Sequence, residues 1–128
     1  MPTANTPEDT GRLAGEAITL GDMDAMLSLY EPDATFALPT GFGEGSVTGL
    51  DGLRQAISGF LALDPQLTVN PEKTLVSGDT ALVIGHWTLT GRDQAGNDIN
   101  AGGRYADVVR RQPDGAWKFV IDNPNGSD

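Results

Sequence analysis

Few side chains in this sequence can move a proton near neutral pH, and two of them stand where strands are expected. Asp107 interrupts the run Arg104-Tyr-Ala-Asp-Val-Val109, and aspartate is a poor strand former. His86, the single histidine, lies in Ile84-Gly-His-Trp-Thr88 and has the intrinsic pKa best suited to a general base. A carboxyl set in an apolar wall is pushed toward its neutral form by desolvation, so it can donate as an acid or take up a proton as a carboxylate. The same residues have plainer uses. Asp107 can fix its strand through a salt bridge or a backbone hydrogen bond, and His86 can be a half-buried or outward-facing structural histidine. Tyr30 and Tyr105 can each place a hydroxyl in a pocket or, as aromatics at regular spacing, serve as core. Asp122 and Asn123, just before Pro124, can organise the chain end or face a ligand.

Other chemistries are excluded by composition. The 128 residues contain no cysteine, which removes disulfides, thiol nucleophiles and thiolate metal sites. A lone histidine with no acid at ligand spacing leaves no expected metal site. No Ser-His-Asp or nucleotide-binding pattern occurs, and no cofactor is expected. The formal net charge of −10 repels phosphate, so neither nucleic acid nor an anionic membrane is an expected partner. The N-terminus lacks a basic segment followed by an apolar one, and no apolar run reaches membrane-spanning length; a cytoplasmic location is expected.

The elements that must position these groups follow from periodicity and punctuation. Thr6-Pro-Glu-Asp9 opens a helix with Leu13, Ala17 and Leu20 on one face, ended by Gly21. Asp22 caps a second helix carrying Met23, Met26, Leu27 and Tyr30, stopped by Pro32. Asp33–Leu38 is a short strand. Thr40–Val47 is a glycine-rich loop with Phe42 as an apolar plug; an acid, Glu44, stands where a phosphate loop wants a lysine. Thr48-Gly-Leu-Asp51 resembles a capping box before a helix with Leu53, Ile57, Phe60 and Leu61. Strands then occupy Leu67–Val76, Ala81–Thr90, Asp98–Arg111 and Trp117–Asn123, with Pro71 confining the first to an edge or a bulge. Helices first and an antiparallel meander after them predict one α+β domain over residues 1–128.

Strand alternation orients the candidates. If Pro113-Asp-Gly115 forms a three-residue loop, Tyr105, Asp107 and Val109 share a face with Trp117, Phe119, Ile121 and Asn123. A one-residue slip substitutes Lys118, Val120 and Asp122. The first register gathers the large apolar side chains and is the one expected. Trp87 and Leu89 lie opposite His86 on their strand. With His86 turned inward they form an outer apolar patch, suited to a twofold dimer.

Taken in order, Gly21-Asp-Met-Asp24, Leu29-Tyr-Glu-Pro-Asp-Ala-Thr-Phe36, Gly78-Asp-Thr-Ala-Leu82 and the Arg104–Pro124 block ending Ile-Asp-Asn-Pro resemble the nuclear transport factor 2-like superfamily, in its SnoaL-like and ketosteroid-isomerase-like branch. The resemblance runs over nearly the whole chain. It implies a cone: a curved sheet wrapped around N-terminal helices, with an apolar pocket and, in many members, a homodimer through the outer sheet face. It implies pocket positions at Tyr30, Phe36, Leu38, Phe60, Tyr105 and Asn123, and a small apolar organic ligand. Isomerases of this branch carry a general-base Asp where this chain has Leu38 and an oxyanion-binding Tyr where it has Ala14. Their inward acid, kept protonated by an apolar site, has its counterpart in Asp107. The expected function is small-molecule binding, with cofactor-free acid/base chemistry of isomerase, cyclase or hydrolase type carried by Asp107 and His86. The alternative is a non-catalytic ligand-binding or dimerisation module.

Overall fold

In the computed structural model, which describes residues 2–128, the first helix, α1, spans Asp9–Leu20 and the second, α2, spans Met23–Leu27. Gly21 ends α1 at φ 71°, a left-handed turn that glycine adopts without steric cost. Asp22 caps α2 by accepting from Ala25 N at 3.0 Å. The buried face of α1 is narrower than the leucine spacing predicts. It consists of Thr10, Gly11, Ala14, Gly15, Ala17 and Ile18, while Leu20 is 81% exposed. The reason is close approach: a Cβ on Gly15 would stand 3.0 Å from the Leu67 carbonyl oxygen, so only small residues fit between α1 and the sheet.

Tyr30 does not continue α2. It opens β1 (Tyr30–Ala37), three residues ahead of the expected start at Asp33, and the register irregularity between Tyr30 and Thr35 accommodates Pro32. The glycine-rich loop leads into a short β2 (Ser46–Thr48), and α3 (Leu50–Leu61) follows. Thr48 is not a helix cap: its hydroxyl meets that of Thr35 across the β1–β2 pair at 3.0 Å, and Gly49 takes the N-cap place. Then come β3 (Gln66–Ser77), β4 (Thr80–Arg92), β5 (Asp98–Arg111) and β6 (Trp117–Asp122).

The strands form one sheet in the order β2-β1-β6-β5-β4-β3. Every pairing is antiparallel except β1 with β6, which is parallel. The expected all-antiparallel sheet is thus corrected to a mixed one: β1 comes early in the chain and β6 closes it, so they meet through a long crossover rather than a hairpin. The sheet is curved and unclosed. On its concave side Leu53, Ile57, Val83, Val109 and Phe119 are fully buried, and apolar burial of this kind is the main stabilising term of the fold. β3 is an edge strand, bulged between Pro71 and Lys73.

Candidate functional site

Two positions along β4 and β5 decide which side chains reach the concave side. Tyr105 pairs directly with Gly85, and Asp107 with Val83. A Cβ on Gly85 would lie 2.6 Å from the Tyr105 hydroxyl, so the ring lies across β4 where glycine leaves room. Gly85, Trp87 and Leu89 therefore face inward, and Trp87 and Leu89 are buried cavity wall. This overturns the expected outer patch. His86, by the same alternation, faces outward. Its ring contacts Asn70 Nδ2 at 3.3 Å and Glu72 at 3.6 Å, and Glu72 in turn pairs with Arg104 at 3.2 Å. The histidine belongs to a polar cluster on the convex face and is not brought near Asp107. Alternation does set His86 opposite Trp87 and Leu89, but the interior is the side of Trp87 and Leu89 and not that of the histidine.

The last hairpin contains the second decisive feature. Val109 is opposite Phe119 while Val108 is opposite Ile121, so Val120 is an extra residue on β6. Before this β-bulge Trp117 and Phe119 face inward; after it the parity inverts. Ile121 turns out, 40% exposed, and Asp122 turns in beside Asp107. Both registers weighed from sequence are thus realised, one on each side of the bulge. Asn123, expected to present its side chain to the pocket, contributes its backbone instead. Its N–H donates to Asp107 Oδ1 at 2.8 Å, and its carbonyl accepts from Ala106 N at 3.0 Å.

These elements enclose a cavity of about 90 Å³ between α1, α3 and the concave sheet face. Phe36, Phe60, Tyr105, Asp107 and Asp122 line it together with Ala14, Pro39 and Phe42. Phe60 stacks edge-on against Phe36 and Phe42, with centroids 6.0 and 5.1 Å apart. Phe42 comes from the glycine-rich loop and closes the wall. Leu38 does not line the cavity. The chain leaves β1 at Ala37, and Leu38 packs under Gly43, where a Cβ would meet its Cδ1 at 2.9 Å; Pro39 takes the wall position. Tyr30 is buried behind the wall against Phe119, centroids 4.7 Å apart, and its hydroxyl donates to Asp122 Oδ2 through a short hydrogen bond.

Asp107 and Asp122 stand side by side in the cavity wall, each acting on the other's titration. Burial pushes the Asp107 carboxyl well above the ordinary carboxylate range, and the negative charge of Asp122 adds to this. Asp122 is pushed up to about 6 by burial, opposed by the hydrogen bond it accepts from Tyr30 and then by the neighbouring Asp107. The two carboxyls therefore titrate as a pair, and the raised values belong to the pair jointly. Burial first, and then the Asp122 charge, raises the Tyr30 hydroxyl's pKa well above its usual value, so it stays protonated as a donor. The Tyr105 hydroxyl, also raised by burial and next by the charge of Asp107, is buried with no hydrogen-bond partner. Such an arrangement can accept a proton at Asp122 and return one from Asp107. Among the described residues there is no cluster of three or more His, Asp or Glu able to hold a metal ion, and no helix is long and apolar enough to cross a membrane.

Residues 12–120 match the family model of the SnoaL-like domain. A provisionally named aromatic ring hydroxylase from Novosphingobium aromaticivorans is 27% identical, with a TM-score of 0.78 over 90% of this chain and 82% of its own. A ketosteroid isomerase-like protein from Erwinia carotovora atroseptica is 19% identical, with a TM-score of 0.78 over 91% of this chain and 89% of its own. An NTF2-like protein with a cystatin-like fold, also from N. aromaticivorans, is 22% identical, with a TM-score of 0.72 over 94% of this chain and 80% of its own. No curated protein matches the chain. At these identities the last two likenesses concern the fold alone.

Proposed function

This chain belongs to the SnoaL-like domain family, and we propose that it binds a small, largely apolar organic molecule in the cone and performs cofactor-free acid/base chemistry on it. Asp122 is the base that removes a proton from the ligand, and Asp107 is the acid that returns one. The observation that carries this is the pair of neighbouring carboxyls set into an otherwise apolar wall. Two acids whose pKa values burial raises are suited to giving and taking protons in one cycle. His86 has no part in it, being on the convex face. The names of two similar structures, a ring hydroxylase and an isomerase-like protein, are compatible with a cyclic ligand.

A thermal-shift screen of small neutral, cationic and anionic ring compounds tests the site, since a ligand bound only by the native state raises Tm. Each stabilising compound is then incubated with protein in D2O and analysed by mass spectrometry. Chemical change or carbon-bound deuterium with the parent, absent with Asp107→Asn, is the expected result. Stabilisation without either outcome would make the protein a binding module instead. Compounds that stabilise Phe60→Trp as well as the parent would place the site outside the cone.

Self-association through the convex face is proposed on a different observation from the one first expected. Leu75, Leu82, Val108 and Ile121 lie in one register row across β3, β4, β5 and β6, with Leu75 and Ile121 53% and 40% exposed. An aliphatic row of this length is suited to a twofold contact with a second copy. Sedimentation at micromolar concentration is expected to give a dimer and Ile121→Lys a monomer. A parent that sediments as a monomer removes the proposal.

A further inference from the structure

We propose that the molecule taken by the cone is a small organic amine, bound as its ammonium ion against the Asp107–Asp122 carboxyl pair and the surrounding aromatic wall. The inference rests on the cavity being the ligand site and adds the charge and hydrogen-bonding class of the ligand.

Hydrogen-bond accounting at the pair comes first. The two donors that the protein brings to it are spent internally: Tyr30 Oη–H on Asp122 and Asn123 N–H on Asp107 Oδ1. Two carboxyls have about eight lone-pair sites between them. What remains facing the cavity is therefore acceptor capacity and negative charge, and a ligand must bring a donor. Asp122, the partly exposed member of the pair, offers that surface, while Asp107 is only 5% exposed.

Nothing in the wall balances the charge. No Lys, Arg or His lines the cavity among the described residues. Five of the arginines are paired elsewhere: Arg12 with Asp9, Arg92 with Asp98, Arg104 with Glu72, Arg110 with Glu31 and Arg111 with Asp79. A buried carboxylate without a counter-ion is costly, and a cationic ligand supplies the missing one. Phe36, Phe60, Trp87 and Phe119 border the same space, and aromatic rings attract a cation through their quadrupoles. The Tyr105 hydroxyl, 3% exposed by residue and unpartnered, is a further polar group in the wall with no protein atom to satisfy it. An N–H donor can bond to its oxygen. At long range the net charge of −10 draws cations toward the protein and repels anions.

The groups that titrate toward the pair are few. β1 contributes Tyr30 and β5 contributes Tyr105; α1, α2, α3, β3 and β4 turn no ionisable side chain into the cavity. Arg12 on α1 and Glu72 on β3 act on the Tyr105 hydroxyl from outside the wall. The pH dependence of cation binding should thus follow the carboxyl pair.

Calorimetry with cyclohexylamine, cyclohexanol and cyclohexanecarboxylate, from pH 5 to pH 8, tests this on the unmodified protein. The amine stays protonated throughout, so its affinity should rise as the pair ionises with increasing pH. At pH 8 it should bind at least about tenfold more tightly than the alcohol, and the carboxylate should not bind. Asp122→Asn should bring the amine and the alcohol to similar affinity. If the alcohol binds as well as the amine, or the carboxylate binds better, the cavity remains the ligand site and the amine assignment falls. If none of the three binds at millimolar concentration, both fall.

Discussion

Asp107 and Asp122 stand side by side inside the cone because Val120 is one residue too many for the hairpin that carries them. The bulge reverses the alternation of β6 after Phe119 and brings a second carboxyl to the first. The two acids then share burial, and each acts on the other's titration.

Their shared burial predicts how stability depends on pH. Both folded pKa values are raised, Asp122 to about 6, so the native state binds more protons than the unfolded chain above the unperturbed ~3.9. The stabilising contribution of the protonated pair is full below that value and is lost as pH rises through the folded values. For Asp122 alone a shift of this size corresponds to roughly 2–3 kcal/mol. Urea unfolding of Asp107→Asn should match the parent near pH 4 and exceed it near pH 8. A variant with the same decline as the parent would show that Asp107 does not titrate in this window.

The two inward tyrosines should respond in opposite ways to loss of the hydroxyl. Tyr30→Phe removes a hydrogen bond to a carboxylate and should cost about 1.5–3 kcal/mol at neutral pH. It should also raise the Asp122 pKa further, measured by carboxyl 13C NMR, because that bond holds it down. Tyr105→Phe removes a buried hydroxyl that has no partner, and stability should be unchanged or increased by about 1 kcal/mol. Equal losses in the two variants would contradict the different hydrogen bonding of the two hydroxyls.

Ligand entry should depend on Phe42. The cavity of about 90 Å³ is smaller than the roughly 150 Å³ that accommodates benzene in an engineered core, so a ring-sized ligand requires the Phe42 side chain to move. Gly41, Gly43 and Gly45 all have positive φ and give this loop freedom to do so. Amide exchange in residues 40–47 should be fast without ligand and slow with it, while residues 108–111 stay protected throughout. Equal protection of both segments in the free protein would rule out a moving loop.

His86→Ala should leave ligand binding and any turnover unchanged and shift stability by no more than about 0.5 kcal/mol. The imidazole is held on the convex face by Asn70 and Glu72. Loss of activity with unchanged stability would return the histidine to the site.

Much was determined by the amino-acid order alone. The helix-then-strand succession, the glycine and aspartate that separate α1 from α2, the edge placement of Pro71, and the inward Asp107 with its apolar neighbours all follow from local chemistry. Periodicity tells which residues share a face, because the side-chain period of a strand is two. It does not tell which of two faces is inside. Periodicity alone therefore leaves the sides of His86 and Trp87 open, and the seating of Tyr105 over Gly85 decides them. Nor can alternation reveal where it is broken. Val120 looks like any other strand residue, and the bulge there is selected by packing: Phe119 must stay in the core while the chain end must bring Asn123 N–H to Asp107. The second carboxyl of the pair, and the parallel seam of β1 with β6 that places Tyr30 beside it, arise from contacts 92 residues apart in the chain. Such contacts exist only after the sheet has curved around its helices.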